Sequence, residues 1–255
     1  FPSLYLGGAS SNTVAASVIK AIGNNAVYLD LNAHGNTFTG DLVTNDSPGG
    51  WASFYTWGAD SNTITDTRVI SRDAATALVV DLVSDMNMVL RSTVTTETGM
   101  GYSGIYVYRS SGLYVADSYL YGERALSIDG STGTMARRNR FVGDFSAGYS
   151  DAVEIYSGSR DLTFTSNTVT AADSGLWVNA VTGGILIASN VFTGHWGEAV
   201  GFGTITAVGT SVLIDSNTVV IHNPATQGAA GIVFYGPLAG GAPVQNNAIV
   251  TRVSG

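Results

Sequence analysis

Three acidic residues near the middle of the sequence have the types and spacing that glycoside hydrolysis requires. Asp129 ends the segment ALSID, Glu154 lies inside the segment AVEIY, and Asp151 comes just before that second segment. In such reactions one carboxylic acid protonates the glycosidic oxygen, while a second carboxylate activates water or attacks the sugar. If the two segments are neighbouring strands, the Cα atoms of Asp129 and Glu154 are roughly 8 Å apart. This spacing is compatible with both the retaining and the inverting geometry, whose carboxyl separations run from about 5 to 9.5 Å.

Aromatic, amide and basic residues accompany these acids along the sequence. Aromatic rings stack on the apolar faces of sugars, and amide or charged groups bond to the sugar hydroxyls. A second chemistry is also open, since Tyr108 with Arg109 could supply the base of a uronate lyase. The predicted substrate-binding residues are Tyr106, Tyr108, Arg109, Tyr156, Trp177, Asn179 and His195.

The elements that position these residues are short repeats built around a polar bend. The phrase DLTFTSNTVT at residues 161–170 has relatives such as SVLIDSNTVV and GILIASNVFT. Aligned on its asparagine, the phrase recurs about every 26 residues, which indicates a solenoid in which each repeat is one coil. The aligned residues are predicted to form one hydrogen-bonded ladder with a rung about every 4.8 Å. They are Asn12, Asn36, Asn62, Ser92, Ser118, Asn139, Asn167, Asn190, Asn217 and Asn247.

The segments that follow each bend distinguish between two kinds of solenoid. A leucine-rich repeat also fits the phrase LTFTSNTV, but it requires a helix or extended turn next and a leucine-dominated core. Here Val outnumbers Leu by 27 to 16, and neighbouring segments such as SGLWVNA and DAVEIYS are again strand-like. The sequence therefore predicts an all-β fold, a single-stranded right-handed parallel β-helix of about ten coils with three short strands each. It is expected to be one domain over residues 1–255, less regular over residues 1–60.

Alignment of the first strand of successive coils predicts which side chains face outward. Because side chains alternate across a strand, the second and fourth residues of segments such as GIYVY and GLWVN point into the core. One outward column then contains Tyr106, Ser127, Glu154, Trp177, Gly201 and Val233. The next outward column contains Tyr108, Asp129, Tyr156, Asn179, Gly203 and Tyr235. The predicted acids and most of the predicted aromatic residues thus share one face.

The repeated SN-x-apolar bend, combined with strands of the type GLWV, resembles the pectate-lyase-like β-helix superfamily over essentially the whole chain. That superfamily includes polysaccharide lyases, glycosidases and phage tailspikes. The resemblance implies a secreted or cell-surface protein that binds, and as an enzyme cleaves, a polysaccharide or cell-surface glycan. Two catalytic signatures of the superfamily, D-P-H of alginate epimerases and G-H-G with paired Asp of polygalacturonases, are absent from the sequence.

Composition and charge narrow the choice of partner and leave a second function open. The formal net charge is −8 and the basic residues are dispersed, which argues against nucleic acid as a partner. No apolar run is long enough to span a bilayer, and without cysteine there is no thiolate metal site. No cofactor is expected beyond Ca²⁺ held by Asp41 and Asp46 in the segment DLVTNDS. The alternative to an enzyme is a non-catalytic adhesin, stalk or self-assembling filament subunit, which would form a homo-oligomer.

Overall fold

The computed structural model describes residues 1–46, 50–72, 75–97, 102–144, 151–171, 173–194, 197–205, 210–222, 230–236 and 240–252, without the side chains of residues 222, 251 and 252. Its thirty strands, β1 to β30, pass through three sheets in strict rotation, so each coil places one strand in each sheet. Successive coils pair in parallel. No helix occurs in these ranges. The predicted β-helix of ten coils with three strands each is confirmed, and the leucine-rich repeat is excluded.

The three sheets contain ten strands each, and all strands are short. Sheet 1 consists of β1 (Leu4–Gly7), β4 (Val27–Asp30), β7 (Phe54–Trp57), β10 (Leu78–Asp81), β13 (Ser103–Tyr108), β16 (Arg124–Asp129), β19 (Val153–Tyr156), β22 (Leu176–Val178), β25 (Glu198–Phe202) and β28 (Ala230–Phe234). Sheet 2 consists of β2 (Thr13–Ala15), β5 (Thr37–Thr39), β8 (Thr63–Thr65), β11 (Met88–Leu90), β14 (Tyr114–Ala116), β17 (Met135–Arg137), β20 (Arg160–Thr165), β23 (Thr182–Ala188), β26 (Ser211–Asp215) and β29 (Val244–Gln245). Sheet 3 consists of β3 (Val18–Ala21), β6 (Leu42–Asn45), β9 (Arg68–Ser71), β12 (Thr93–Thr96), β15 (Tyr119–Gly122), β18 (Arg140–Gly143), β21 (Thr168–Thr170), β24 (Val191–Thr193), β27 (Thr218–His222) and β30 (Ala248–Arg252).

The core consists of apolar columns that run along the axis of the solenoid. Leu162, Ile185 and Val212 are register partners on successive coils of sheet 2, and all three are buried. Burying each such side chain contributes roughly 1.5–3 kcal/mol before the entropy of ordering the chain is subtracted. The column two residues further along the strands is predicted and observed in the same way, and it contains Phe164, Ile187 and Ile214.

A typical bend combines one residue in the left-handed backbone region with one buried polar residue. Ser166 has a φ of 57°, and Asn167 follows it with its side chain buried. Asn167 Nδ2 donates to the Ala136 carbonyl oxygen at 3.0 Å and to Asn190 Oδ1 at 3.1 Å. The left-handed residue turns the chain, and the amide satisfies backbone groups that the turn removes from the sheet ladders. These two requirements explain why the dipeptide SN recurs in the sequence.

The bends carry two polar ladders, so the prediction of a single ladder was wrong. Between sheets 1 and 2, the amides of Asn12, Asn36 and Asn62 bond in series, and Asn87 continues the series. The ladder between sheets 2 and 3 contains Ser17, Asp41, Thr67, Ser92, Ser118, Asn139, Asn167, Asn190, Asn217 and Asn247. Both bends use a left-handed residue followed by a polar side chain, so one phrase fits two places in the coil. The sequence alignment of the repeated phrase followed the first ladder as far as Asn62 and the second ladder from Ser92 onward.

Candidate functional site

The outward face of sheet 1 has the two columns of side chains predicted from the sequence. In the first column, Glu154 pairs with Ser127 on one neighbouring strand and with Trp177 on the other. In the second column, Asp129 pairs with Tyr156. Ser127 has the predicted outward position in this column and is only 2% exposed. The register therefore places the predicted acids on one face and on adjacent coils.

The predicted catalytic pair, Asp129 and Glu154, is held by neighbouring side chains. Asp129 Oδ2 accepts a hydrogen bond from Tyr106 Oη at 3.1 Å. Glu154 Oε2 forms an ion pair with Arg124 Nε at 2.7 Å. Burial raises the pKa of Glu154, and the positive charge of Arg124 opposes that shift. An ion-paired carboxylate is a poor proton donor, so Glu154 is less suited to acid catalysis than its position on the face suggests.

Asp151 belongs to a group of acids at the N-terminal ends of neighbouring strands in sheet 1. Burial raises the pKa of the Asp151 carboxyl to about 7, and the negative charges of Glu154 and Asp173 add to this shift. The nearby polar hydroxyl of Ser174 and the charge of Arg124 oppose it. Asp151 can therefore carry a proton near neutral pH, as a general acid must. A depression of about 320 Å³ is lined by Asp151, Asp173, Ser174, Trp177, Glu198 and Tyr235.

The register of the coils brings Asp151 and Glu198 into one depression. Asp151 lies two residues before Val153, and Glu198 lies two residues before Val200, which occupies the same core column two coils later. Ser174 lies on the coil between them, and its Oγ donates to Glu198 Oε2 at 3.1 Å. The two acids therefore have equivalent positions at the N-terminal ends of their strands, with the Ser174 hydroxyl between them.

The other walls of the depression are an acid and two aromatic rings. Burial raises the pKa of Asp173, and the negative charge of Glu198 adds to that shift. Tyr235 Oη donates to Glu198 Oε1, and the Tyr235 ring centroid is 5.7 Å from that of Trp177. A Cβ atom at Gly201 would come within 2.5 Å of the Trp177 ring. Glycine at this position thus allows the indole to lie against the next coil, beside the acids.

Tyr106, Tyr108 and Arg109 form a stack on the coil that precedes Asp129. The two tyrosine rings are 6.2 Å apart at an interplanar angle of 15°, and the Arg109 guanidinium is 4.8 Å from the centre of the Tyr108 ring. This cation–π contact directs Arg109 toward the ring. Tyr106 Oη donates its hydrogen bond to the Asp129 carboxylate. This bond concerns Tyr106, so the role of Tyr108 with Arg109 as the base of a lyase stays a prediction.

The remaining predicted binding residues have different outcomes. Tyr156 lies on the outward face beside Asp129. Asn179 follows β22, and its Oδ1 accepts a hydrogen bond from the Thr204 amide at 3.1 Å, so part of its bonding capacity is used within the protein. His195 lies outside the described residues.

A family model described as "Right handed beta helix region" matches residues 52–223. The chain belongs to this family. Its fold is similar to that of Dettilon tailspike protein, with a TM-score of 0.57 and 13% identity over 97% of this chain and 56% of the tailspike chain. It is also similar to PfbA, a surface protein and adhesin of Streptococcus pneumoniae, with a TM-score of 0.56 and 9% identity over 99% of this chain and 92% of the PfbA chain. At these identities the similarity establishes the fold alone.

Two further findings concern related sequences and membrane-spanning helices. No curated protein sequence matches the chain. Across the described ranges, no helix is long and apolar enough to cross a membrane.

Sequence reasoning assigned no role to two of the acids that this β-helix brings together, Asp173 and Glu198. The first-strand alignment began at the core residues, so it omitted the bend residues that precede each strand. The offset of two residues before the inward Val153 and Val200 would have aligned Asp151 with Glu198. Asp173 has no such signal, because it enters the depression from a bend whose path depends on the local backbone.

The proposed Ca²⁺ ligands do not converge in the structure. Asp41 is a buried rung of the ladder between sheets 2 and 3, where its Oδ1 accepts from the Ser17 amide at 2.8 Å. Asp46 lies at the other end of β6 and pairs with Lys20 at 2.6 Å. Among the described residues, no group of three or more acidic or histidine side chains could hold a metal ion.

Proposed function

We propose that this β-helix is a glycoside hydrolase that binds an uncharged polysaccharide on sheet 1 and cleaves it in the depression beside Trp177. The observation that carries the proposal is Asp151, an acid with a pKa raised to about 7 that shares one depression with two further carboxyl groups and an indole. A general acid with a pKa near the working pH, a second carboxylate and an aromatic platform are the parts that glycoside hydrolysis needs.

In the proposed reaction, Asp151 donates its proton to the glycosidic oxygen as the bond to the anomeric carbon breaks. Glu198 removes a proton from a water molecule whose oxygen forms the new bond to that carbon, so one water is consumed for each bond cleaved. Asp151 and Glu198 precede strands that are two coils apart, roughly 9.6 Å along the axis. This backbone spacing is just above the separation of about 6.5 to 9.5 Å between the carboxyl groups of inverting enzymes, and about twice the 5 Å of retaining enzymes. Since both side chains line one depression, we propose the inverting mechanism.

We also propose that the protein acts outside the cell, where polysaccharides are accessible to it. Two structural neighbours support this location, because one is named a tailspike protein and the other a surface protein and adhesin. An acidic protein with formal net charge −8 is better matched to an uncharged glycan than to a uronate polymer.

The proposal predicts a loss of activity above neutral pH. Asp151 must be protonated to act as the acid, so kcat/KM should fall about tenfold per pH unit once the pH exceeds the Asp151 pKa of about 7. The measurement is the release of reducing ends from a panel of uncharged polysaccharides between pH 5 and 9. An Asp215→Asn variant, altered on the outward face of sheet 2, should keep the same profile. A rate that stays constant or rises between pH 7 and 9 would contradict the role of Asp151.

A second candidate function is a non-catalytic adhesin or stalk. The observation that favours it is the engagement of outward carboxylates in internal contacts, such as Glu154 with Arg124 and Asp129 with Tyr106. Binding of a glycan array without release of reducing ends from any bound glycan would support the adhesin. Release of reducing ends from a glycan that also binds would support the hydrolase.

A further inference from the structure

The second outward column of sheet 1 alternates between hydrogen-bond acceptors and aromatic rings over seven consecutive coils. Register partners along the column include Trp57 with Asp81, Asp81 with Tyr108, and Tyr108 with Asp129. From the second coil to the eighth, the column contains Asp30, Trp57, Asp81, Tyr108, Asp129, Tyr156 and Asn179. The chemistry of this column therefore repeats every two coils, or roughly every 9.6 Å along the axis.

Hydrogen bonds reproduce the same two-coil period. Tyr5 Oη donates to Asp30 Oδ2 at 2.8 Å, and Tyr106 Oη donates to Asp129 Oδ2 at 3.1 Å. Tyr55 Oη donates to Asp81 Oδ2 midway between these two pairs. In each case the tyrosine of one coil bonds to the aspartate of the next coil, two residues further along the strand. An ionised carboxylate has about four acceptor sites, so each pair retains acceptor capacity for a ligand hydroxyl.

A second depression lies at the opposite end of this column from the depression that Asp151 and Glu198 line. It has a volume of about 680 Å³, and its lining includes Trp51, Trp57, Tyr28, Tyr55 and Asp81. Trp51 and Trp57 are 47% and 36% exposed, so their rings are accessible. Trp57 and Trp177 are on coils three and eight, which separates the two depressions by roughly 24 Å. A concave aromatic surface with a few convergent polar groups is the usual form of a ligand site.

We infer that sheet 1 binds one linear, uncharged polysaccharide lengthwise, across the strands, with one disaccharide unit for every two coils. This inference rests on the proposed function and adds the shape of the substrate. Trp57 and Tyr156 offer rings for stacking on a sugar, and the aspartate or asparagine of the next coil offers acceptors for hydroxyls. The Tyr108 ring between them stacks on Tyr106 and carries the Arg109 guanidinium, whose N–H groups can donate to a sugar hydroxyl. Two coils match the length of a disaccharide in an extended chain. Asp30, Asp81 and Asp129 would repel a uronate or sulfated polymer. The Trp57 depression anchors the chain, and the Asp151 depression receives the bond to be cleaved.

The test is the dependence of affinity on oligosaccharide length, measured by calorimetry with the Asp151→Asn variant so that the probe is not consumed. The probes are two- to eight-sugar oligomers of β-1,4-glucan, mannan, xylan and chitin, with polygalacturonate oligomers as the anionic comparison. At least one uncharged series should bind, with larger gains in affinity at even than at odd numbers of sugars. Trp57→Ala should weaken binding of the eight-sugar oligomer between about 5- and 30-fold. Asp81→Asn, which keeps an acceptor, should weaken it less.

The matched control is Tyr119→Ala, which removes an outward aromatic ring from sheet 3, and it should leave the affinity unchanged. The inference is overturned if none of the uncharged series binds, if affinity does not grow with length, if polygalacturonate binds more tightly, or if Tyr119→Ala weakens binding as much as Trp57→Ala. Stepwise binding without cleavage by the natural protein would contradict the hydrolase alone. Cleavage without the length dependence would contradict the lengthwise mode alone.

Discussion

Asp151→Asn is expected to lower the rate of polysaccharide cleavage by about 10²- to 10⁴-fold while binding of the same polysaccharide is retained. Asparagine has nearly the shape of aspartic acid but cannot deliver a proton to the glycosidic oxygen. The measurement is initial-rate release of reducing ends at pH 6, where the natural Asp151, with its pKa near 7, is mostly protonated. Glu198→Gln should cause a loss of similar size, since it removes the carboxylate that activates water.

The pH dependence of stability separates a catalytic effect of Asp151→Asn from unfolding. A carboxyl whose pKa rises from 3.8 in the unfolded chain to about 7 in the folded protein binds its proton more tightly when folded. The free energy of unfolding therefore falls as the pH rises from about 4 to about 7, because unfolding releases that proton and the release becomes more favourable at higher pH. Asp151→Asn removes this titration, so its unfolding midpoint should fall less with pH than that of the natural protein. An inactive variant that retains stability at pH 7 has lost the acid rather than the fold.

The acids predicted from the sequence provide the comparison for this experiment. Glu154→Gln breaks the ion pair with Arg124, and Asp129→Asn removes the charge that accepts from Tyr106. Both variants should reduce cleavage less than Asp151→Asn. Asp215→Asn should not reduce it at all. If Glu154→Gln abolishes cleavage while Asp151→Asn is active, the acid has been assigned to the wrong residue. Equal rates in all four variants would place catalysis elsewhere on the protein, whereas binding without any cleavage by the natural protein would favour the adhesin.

Much of the scaffold could be predicted from the sequence because it follows from one-dimensional patterns. Alternation along a strand fixes which residues are inward, so Leu162 and Ile185 could be assigned to the core column that they occupy. The same alternation placed Glu154 beside Trp177 on the outward face. These predictions depend only on the period of two along a strand and on equivalence between coils.

The site was harder to predict because it depends on bends and on side-chain partners. Asp173 enters the depression from a bend, where no periodic pattern specifies direction. Glu154 has the sequence position of a catalytic acid, and only the structure shows its ion pair with Arg124. The prediction of a single ladder failed for a related reason, since Asn62 and Asn139 satisfy the same local geometry at different bends of the coil.

The largest expected effect on stability comes from the ladder, at Asn167→Ala. Asn167 Nδ2 donates to the Ala136 carbonyl and to Asn190, while Oδ1 accepts from the backbone and side-chain nitrogens of Asn139 at 2.8 and 3.1 Å. Alanine leaves the Ala136 oxygen and the Asn139 amide buried without these partners. Each buried donor or acceptor left without a partner costs about 1–3 kcal/mol, so the free energy of unfolding should fall by about 3–5 kcal/mol. Chemical denaturation followed by circular dichroism measures this loss.

The ladder supplies its own matched controls. Asn167→Ser should cost less than alanine, because Ser118 fills an equivalent rung by accepting from the Ser92 amide at 3.1 Å and donating to the Ala116 carbonyl at 2.8 Å. Asn12→Ala, at the exposed first rung of the other ladder, should cost about 1 kcal/mol or less, since water can replace its lost bonds. A cost at Asn167 no greater than at Asn12 would show that the polar rungs fill space without holding the coils together. Because neighbouring coils in a solenoid stabilise one another, the larger predicted loss at Asn167 should also broaden the unfolding transition as the coils on either side separate into independent units.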